Sequence, residues 1–174
     1  MPSIDLNKRI LDFIYECPIV AENPMYFGVA EEQDNNNQLV VSSETPSDAI
    51  EFIDGTGERT YRADILLYKS VAYNPIVTEE TSTGKRVPSE IYLNENIEDM
   101  VDGQTLIDWI EEQNDNRHFP NFGEGCIIES VKTTSSRPVF NGVNTSLEPP
   151  LAQYSVGLEI QYLDISKQLW NKEE

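Results

Sequence analysis

The sequence predicts an α+β domain, in which an N-terminal helix and a second helix pack on one face of a mostly antiparallel sheet with long loops. The clearest evidence is the alternation of apolar and other side chains from Ala152 to Tyr162. Successive side chains of a strand point to opposite faces, so this run indicates a long strand with one buried and one wet face. A sheet with one face in water is usually antiparallel. The wet face is predicted to carry Gln153, Ser155, Gly157, Glu159 and Gln161.

A hairpin near the middle of the chain is the second piece of evidence. Asp54-Gly55-Thr56-Gly57 separates two apolar runs, Ala49 to Ile53 and Arg59 to Tyr73. Asp-Gly tolerates the positive φ that tight hairpin turns require, so these runs are predicted to pair. The same four residues contain G-x-G, but the third glycine and the following helix of a dinucleotide-binding fold are missing.

Two segments have helical spacing of apolar residues. In the first, Ser3 is a candidate cap and Pro18 a stop, and the apolar face is Leu6, Ile10, Phe13, Ile14 and Cys17. The second helix is predicted from about Gly103 to Gln113, and its core face is Leu106, Ile107, Trp109 and Ile110. The acidic residues before it are interpreted as a solvated surface leading into the helix start, where negative charge is favourable: Glu95, Glu98, Asp99 and Asp102.

The remaining segments complete one domain over residues 1–174. Shorter strands are predicted over Met25–Ala30, Gln38–Ser43 and Cys126–Thr133. Polar composition predicts mobile loops at about 75–90, including Pro75 to Pro88, and at 135–150. Residues 165–174 are predicted to be a polar C-terminal tail.

The charge of the chain excludes one class of partner. Twelve basic and 31 acidic residues give a net charge of −19, and no Lys or Arg occurs between Ile10 and Glu58 or between Val87 and Asn116. Binding of nucleic acid or an anionic membrane through a basic patch is therefore not expected. The simpler interpretation is a solvated surface. The functional interpretation is an acidic wall that repels DNA, mimics it, or meets a basic partner.

The sequence offers no catalytic, cofactor-binding or metal site. His118 is the only histidine, and its neighbours place it in a loop, so a catalytic role is not favoured. Cys17 and Cys126 have the character of small buried hydrophobes, although a disulfide between them stays open. No apolar run approaches the roughly 18 residues of a membrane helix. With no secretion signal, the protein is expected in the cytoplasm unless it leaves as part of something larger.

The order of the elements resembles the minor capsid or tail terminator proteins of long-tailed bacteriophages. The likeness covers most of the chain, although no motif in it is as specific as a metal or phosphate site. The segments that carry it are the helix Ile4 to Cys17, the turn Phe52-Ile53-Asp54-Gly55, the helix Leu106 to Gln113, the loop Phe119-Pro120-Asn121-Phe122-Gly123, and the hairpin of Ile127 to Thr133 with Gln153 to Tyr162.

This resemblance implies a virion protein that caps the finished tail tube at the head–tail junction, without enzyme activity or cofactor. It implies a homo-oligomeric ring, typically a hexamer, with the tail tube protein and the head–tail connector as partners and DNA only passing through. One of the two long loops is expected to order on assembly. The acidic residues are expected to keep the passing DNA from sticking.

Three other functions stay open at this point. An acidic inhibitor that mimics DNA and binds a basic protein cleft fits the net charge equally well. A neighbouring connector or tail-completion protein would have a similar small α+β fold. A hydrolase of the acidic-residue type is the weakest alternative, because the chain has a lone histidine and no catalytic motif.

Overall fold

The computed structural model describes residues 3–21, 25–28, 32, 36–42, 49–71, 78–88 and 90–166. Helices in this part of the chain lie on one seven-stranded mixed sheet, and a separate two-stranded sheet is also present. The elements, in chain order, are α1 (Ser3–Ile14), α2 (Pro18–Ala21), β1 (Met25–Phe27), β2 (Asn37–Val41), β3 (Ala49–Glu51), β4 (Gly57–Ser70), β5 (Thr78–Glu80), β6 (Arg86–Pro88), α3 (Glu90–Asp115), β7 (Cys126–Thr133), β8 (Val139–Asn144) and β9 (Leu151–Asp164). The predicted fold class is confirmed.

Two long strands form the centre of the large sheet. β4 and β9 pair antiparallel along their whole length, from Gly57 opposite Asp164 to Ser70 opposite Leu151. The outer side of β4 pairs with β3 and then with β2, and β1 lies beyond β2. The outer side of β9 pairs with β7 and then with β8. Only β1 and β2 run parallel among these pairs, so the sheet is mostly antiparallel, as predicted.

The core lies between the helices and one face of this sheet. Every second residue along the middle of β4 and of β9 faces this core, and Ile65 and Leu158 are fully buried examples. Leu39 of β2 is fully buried in the same core. The helices contribute the apolar faces that their spacing predicts, namely Ile10, Phe13 and Ile14 from α1 and Leu106, Ile107 and Ile110 from α3. The rings of Phe13 and Trp109 lie 5.0 Å apart and join the two helices. The predicted packing of both helices on one face is confirmed.

The helix boundaries differ from the prediction at one proline and one glycine. α1 ends at Ile14, and Pro18 begins α2 instead of stopping a helix, because proline is well suited to a first helical position. α3 begins at Glu90, not near Gly103. Gly103 lies inside the helix, and a glycine is needed there because a Cβ would be 2.6 Å from Cγ of Pro138. The glycine therefore permits a close approach and does not mark a helix start.

The acidic residues before Gly103 are consequently helical. Glu95, Glu98, Asp99 and Asp102 all lie within α3, which corrects their interpretation as a surface leading into its start. No Gly or Pro interrupts residues 90–102, so the helix continues without a breaker. Asp102 forms an ion pair with Lys69 of β4 and fixes the helix against the sheet.

Both segments predicted as loops contain strands. Residues 78–88 form a β5–β6 hairpin with its turn over 81–85, whereas residues 72–77 and 89 lie outside the described residues. In the 135–150 segment, β8 pairs with β9. This strand forms because the edge of β9 offers backbone partners, although its own polar sequence shows no alternation. The predicted tail beyond Ser166 lies outside the described residues, as do the ends of several predicted strands.

Candidate assembly surface

The sheet ends on two different edges, and each exposes large apolar side chains. We call residues 25–27 and 49–54 the β1–β3 edge, which lies on the outer side of β4. Its exposed apolar residues are Tyr26, Phe27, Ile50, Phe52 and Ile53. We call residues 126–144 the β7–β8 edge, which lies on the outer side of β9. Its exposed apolar residues are Ile127, Val139 and Phe140. These residues do not form one cluster on either edge, since Phe27 is level with Ile65 of β4 whereas Ile50 is opposite Glu58. The pairs adjacent in the chain, Phe52 with Ile53 and Val139 with Phe140, are therefore the candidates for a contact surface.

A rigid turn presents the most exposed of these side chains. Oδ1 of Asp54 accepts hydrogen bonds from the backbone N–H of Thr56 at 3.0 Å and from its hydroxyl at 2.7 Å. The N–H of Phe52 donates to the carbonyl of Thr56 at 2.8 Å, and Gly55, at φ 84°, closes the turn. Ile53 at the tip is 109% exposed. Turns favour polar residues, so an isoleucine at the tip of this turn is an unusual choice and makes the turn a candidate contact surface.

The hydrogen bonds of this turn predict a titration that can be measured. The Thr56 hydroxyl, followed by the Thr56 N–H, lowers the pKa of Asp54 below its ordinary value of 3.8. The folded-state pKa is therefore lower than the unfolded one. The stabilisation is complete above 3.8 and is lost as the pH falls through the folded-state pKa.

The carboxyl ¹³C shift of Asp54, followed by NMR, should accordingly titrate below 3.8. Thr56→Val removes only the hydroxyl donor, so the midpoint should rise part of the way toward 3.8. The same midpoint in both proteins would show that the hydroxyl does not hold the turn.

The β7–β8 edge is irregular, and one of its exposed apolar side chains, that of Phe140, packs against a buried ring. The ring of Phe140 lies 5.6 Å from that of Tyr154, which is buried. The register shifts between Ile128 and Ser130 on β7 and between Phe140 and Gly142 on β8. Bulges of this kind disfavour pairing with a strand from another chain. The β7–β8 edge is therefore poorly suited to being extended by a further strand.

The two edges also differ in charge. β1, β2 and β3 all lie within the base-free stretch between Ile10 and Glu58, which contains eleven acidic residues. Residues 130–147 are the longest acid-free run in the chain and include Lys132 and Arg137. This run forms the last part of β7, the connection and β8. Topology thus places a base-free segment on one edge and an acid-free segment with two cations on the other.

His118 lies in a separate, shallow cleft of about 400 Å³ between α1 and residues 118–121. Its Nε2 is 2.7 Å from Oε2 of Glu16, and both side chains are half exposed. Lys8 pairs with Asp12, and Arg9 donates to the carbonyl of Asn121. The described lining contains no Ser, Thr or Cys, so no hydroxyl or thiol lies beside the histidine among these residues. The Glu16–His118 and Arg9–Asn121 contacts hold α1 against the loop.

The two cysteines are free thiols, which answers the question that the sequence left open. Burial raises the pKa of Cys17, and burial followed by the charge of Asp164 raises that of Cys126. Neither thiol is activated as a nucleophile by its surroundings. Among the described residues, no group of three or more His, Cys, Asp or Glu side chains is placed to hold a metal ion. None of the described helices has the length and apolar composition needed to cross a bilayer.

The sequence contained a signal for both apolar edges that its interpretation passed over. Phe52 and Ile53 directly precede an Asp-Gly turn, and Val139 and Phe140 interrupt a segment that is otherwise polar. Apolar side chains beside a turn are more exposed than those within a strand, and this position could have marked them.

We compared the chain with protein-family models, curated proteins and solved structures, and none of them matches it.

Proposed function

We propose that this chain is a structural subunit that assembles head to tail into a closed ring, and that the ring terminates a bacteriophage tail and joins it to the head. One observation supports the proposal of ring assembly: two opposite edges of one sheet expose different apolar residues, including Ile53 on one edge and Phe140 on the other.

The placement of these edges favours a ring over a two-fold dimer. A two-fold dimer uses the same patch on both subunits, so one of the two edges would stay exposed. A head-to-tail contact buries both edges in every subunit when the ring closes. The long β4–β9 pair is suited to this role because it holds the two edges at a fixed separation.

The place in the virion is proposed from the resemblance of the element order to tail terminators. The same resemblance supplies the tail tube protein and the head–tail connector as partners. The acidic side chains Asp108, Glu111 and Glu112 on the exposed face of α3 suit a surface near passing DNA, since they repel phosphates.

Two blocked variants test the head-to-tail contact directly. Ile53→Asp blocks the β1–β3 edge, and Phe140→Asp blocks the β7–β8 edge. Each variant alone should be monomeric by native mass spectrometry, and an equal mixture should give a heterodimer that grows no further. Val101→Asp, at an exposed apolar position on α3, is the matched control and should still form rings. A mixture that stays monomeric, or a wild-type protein that stops at a dimer, would contradict head-to-tail assembly.

The place in the virion needs a separate experiment. Gold-labelled antibody to this protein, applied to phage particles from its source, should appear only at the head–tail junction in electron micrographs. If the protein is abundant in the lysate but absent from intact particles, the proposal fails and an acidic inhibitor of a basic protein becomes the better explanation.

A further inference from the structure

We propose that neighbouring subunits of this ring recognise each other by charge, with the acidic β1–β3 edge of one copy on the basic part of the β7–β8 edge of the next. The inference rests on the proposed ring but goes beyond it, because apolar edges alone would not determine which edge meets which. The partner is a second copy of this chain.

The acidic side of the contact surrounds the exposed tip at Ile53. Glu51, Asp54 and Glu58 lie on β3, on the turn and at the start of β4, against one cation, Arg59, so the local balance is 1 − 3 = −2. Arg59 pairs with Glu51 at 3.2 Å, yet the Glu51 side chain stays 60% exposed. Glu58 is exposed and makes no ion pair with another described residue. The acidic excess therefore surrounds the apolar tip, and Glu58 is its exposed carboxylate without an ion pair among the described residues.

The basic side of the contact flanks Val139 and Phe140. Arg137 is exposed, and its guanidinium makes no ion pair with another described residue. Lys132 is exposed opposite Glu159 in the register, but Glu159 already accepts a hydrogen bond from Arg62 at 2.9 Å. Glu129, in the β7 bulge, is the nearest acid along the chain and lies just outside the acid-free run.

This arrangement assigns different tasks to the two kinds of side chain. The apolar residues supply area removed from water, whereas charges around them fix orientation and suppress wrong pairings. Two β1–β3 edges brought together would place like charges face to face, so the acidic edge rejects its own copy. The net charge of −19 makes any contact without compensating cations costly. The cations on the β7–β8 edge therefore select the edge that a neighbour can use.

Charge reversal on each edge, followed by mixing, tests the inference. Lys132→Glu with Arg137→Glu makes both edges acidic, and Glu51→Lys with Glu58→Lys makes both edges basic. Each double variant alone should need a roughly ten-fold or higher concentration for half-assembly. Their equal mixture should form rings again, because every acidic edge then meets a basic one. Native mass spectrometry should show the two variants alternating in equal numbers.

Matched controls carry the same change of charge elsewhere. Lys85→Glu with Arg117→Glu, and Glu111→Lys with Glu112→Lys, alter exposed residues away from both edges and should leave the half-assembly concentration of the ring unchanged. Circular dichroism of each variant shows that it is folded.

The outcomes separate this inference from the proposed function. If the wild-type protein forms rings and the charge-reversed variants also assemble normally, charge recognition is wrong and the ring proposal stands. The same holds if the variants fail to assemble even when they are mixed. A wild-type protein that forms no ring would overturn both proposals.

Discussion

Replacing Ile160 with alanine is expected to lower the free energy of unfolding by about 3 kcal/mol, within the usual range for emptying a buried isoleucine site. Ile160 is fully buried at the centre of the sheet, between Tyr61 of β4 and Val131 of β7. Strands on both sides fix the surrounding backbone, so the cavity has little room to collapse. The lost transfer energy and the cavity then add.

Ile53 offers the same substitution in the opposite environment. It is fully exposed at the β3–β4 turn, so Ile53→Ala should change the unfolding free energy of the monomer by less than about 0.5 kcal/mol. Urea unfolding of both variants, at concentrations where the chain is monomeric, measures the difference. If ring assembly uses this edge, Ile53→Ala should weaken assembly while leaving the fold stable. Equal destabilisation by the two variants would contradict the assignment of Ile160 as buried and Ile53 as exposed.

The elements that could be predicted are those whose pattern is local. β9 alternates from Ala152 to Tyr162, the β3–β4 hairpin contains an Asp-Gly turn, and α1 repeats apolar residues at helical spacing. In each case, the residues that determine the element lie within a few positions of one another. The strand β9, the β3–β4 hairpin and the first helix therefore follow from the sequence, whereas the pairing of β4 with β9 does not.

The elements that could not be predicted depend on distant parts of the chain. β8 exists because β9 offers it an edge. Position 103 within α3 is a glycine because Pro138, far along the chain, occupies the space that a side chain would fill. The candidate surface was missed for a related reason. The polar segment around Phe140 is a local sign of its exposure, whereas the position of β8 at the edge of the sheet depends on its pairing with β9.

Gly157 shows how a local pattern can assign the correct face and the wrong environment. Alternation places it on the wet face of β9, with Ser155 and Glu159 on either side. In the structure Gly157 is buried, because Thr134 folds over it and donates its N–H to the Gly157 carbonyl at 2.9 Å. The wet face is thus covered at Gly157, and the glycine leaves the space that Thr134 occupies.

Gly157→Ala is consequently expected to destabilise the protein by about 1–3 kcal/mol, the usual cost of overpacking. The new Cβ would overlap the hydroxyl of Thr134 and lie 3.2 Å from its Cβ, so rotation of the hydroxyl alone would not relieve the contact. Ser155→Ala, on the same strand and the same face, is the control. It adds no atoms, so its effect on the free energy of unfolding should be smaller than that of Gly157→Ala.

The double variant Gly157→Ala with Thr134→Gly shows whether the overlap is the cause. Removing the Thr134 side chain eliminates the overlap, so the double variant should recover most of the lost stability, and the two single effects should not add. A double-mutant cycle from urea unfolding gives the coupling energy. Additive effects would place the cost of Gly157→Ala in the β9 backbone itself. A coupling of about 1 kcal/mol or more would show that Thr134 occupies the space above Gly157 in solution.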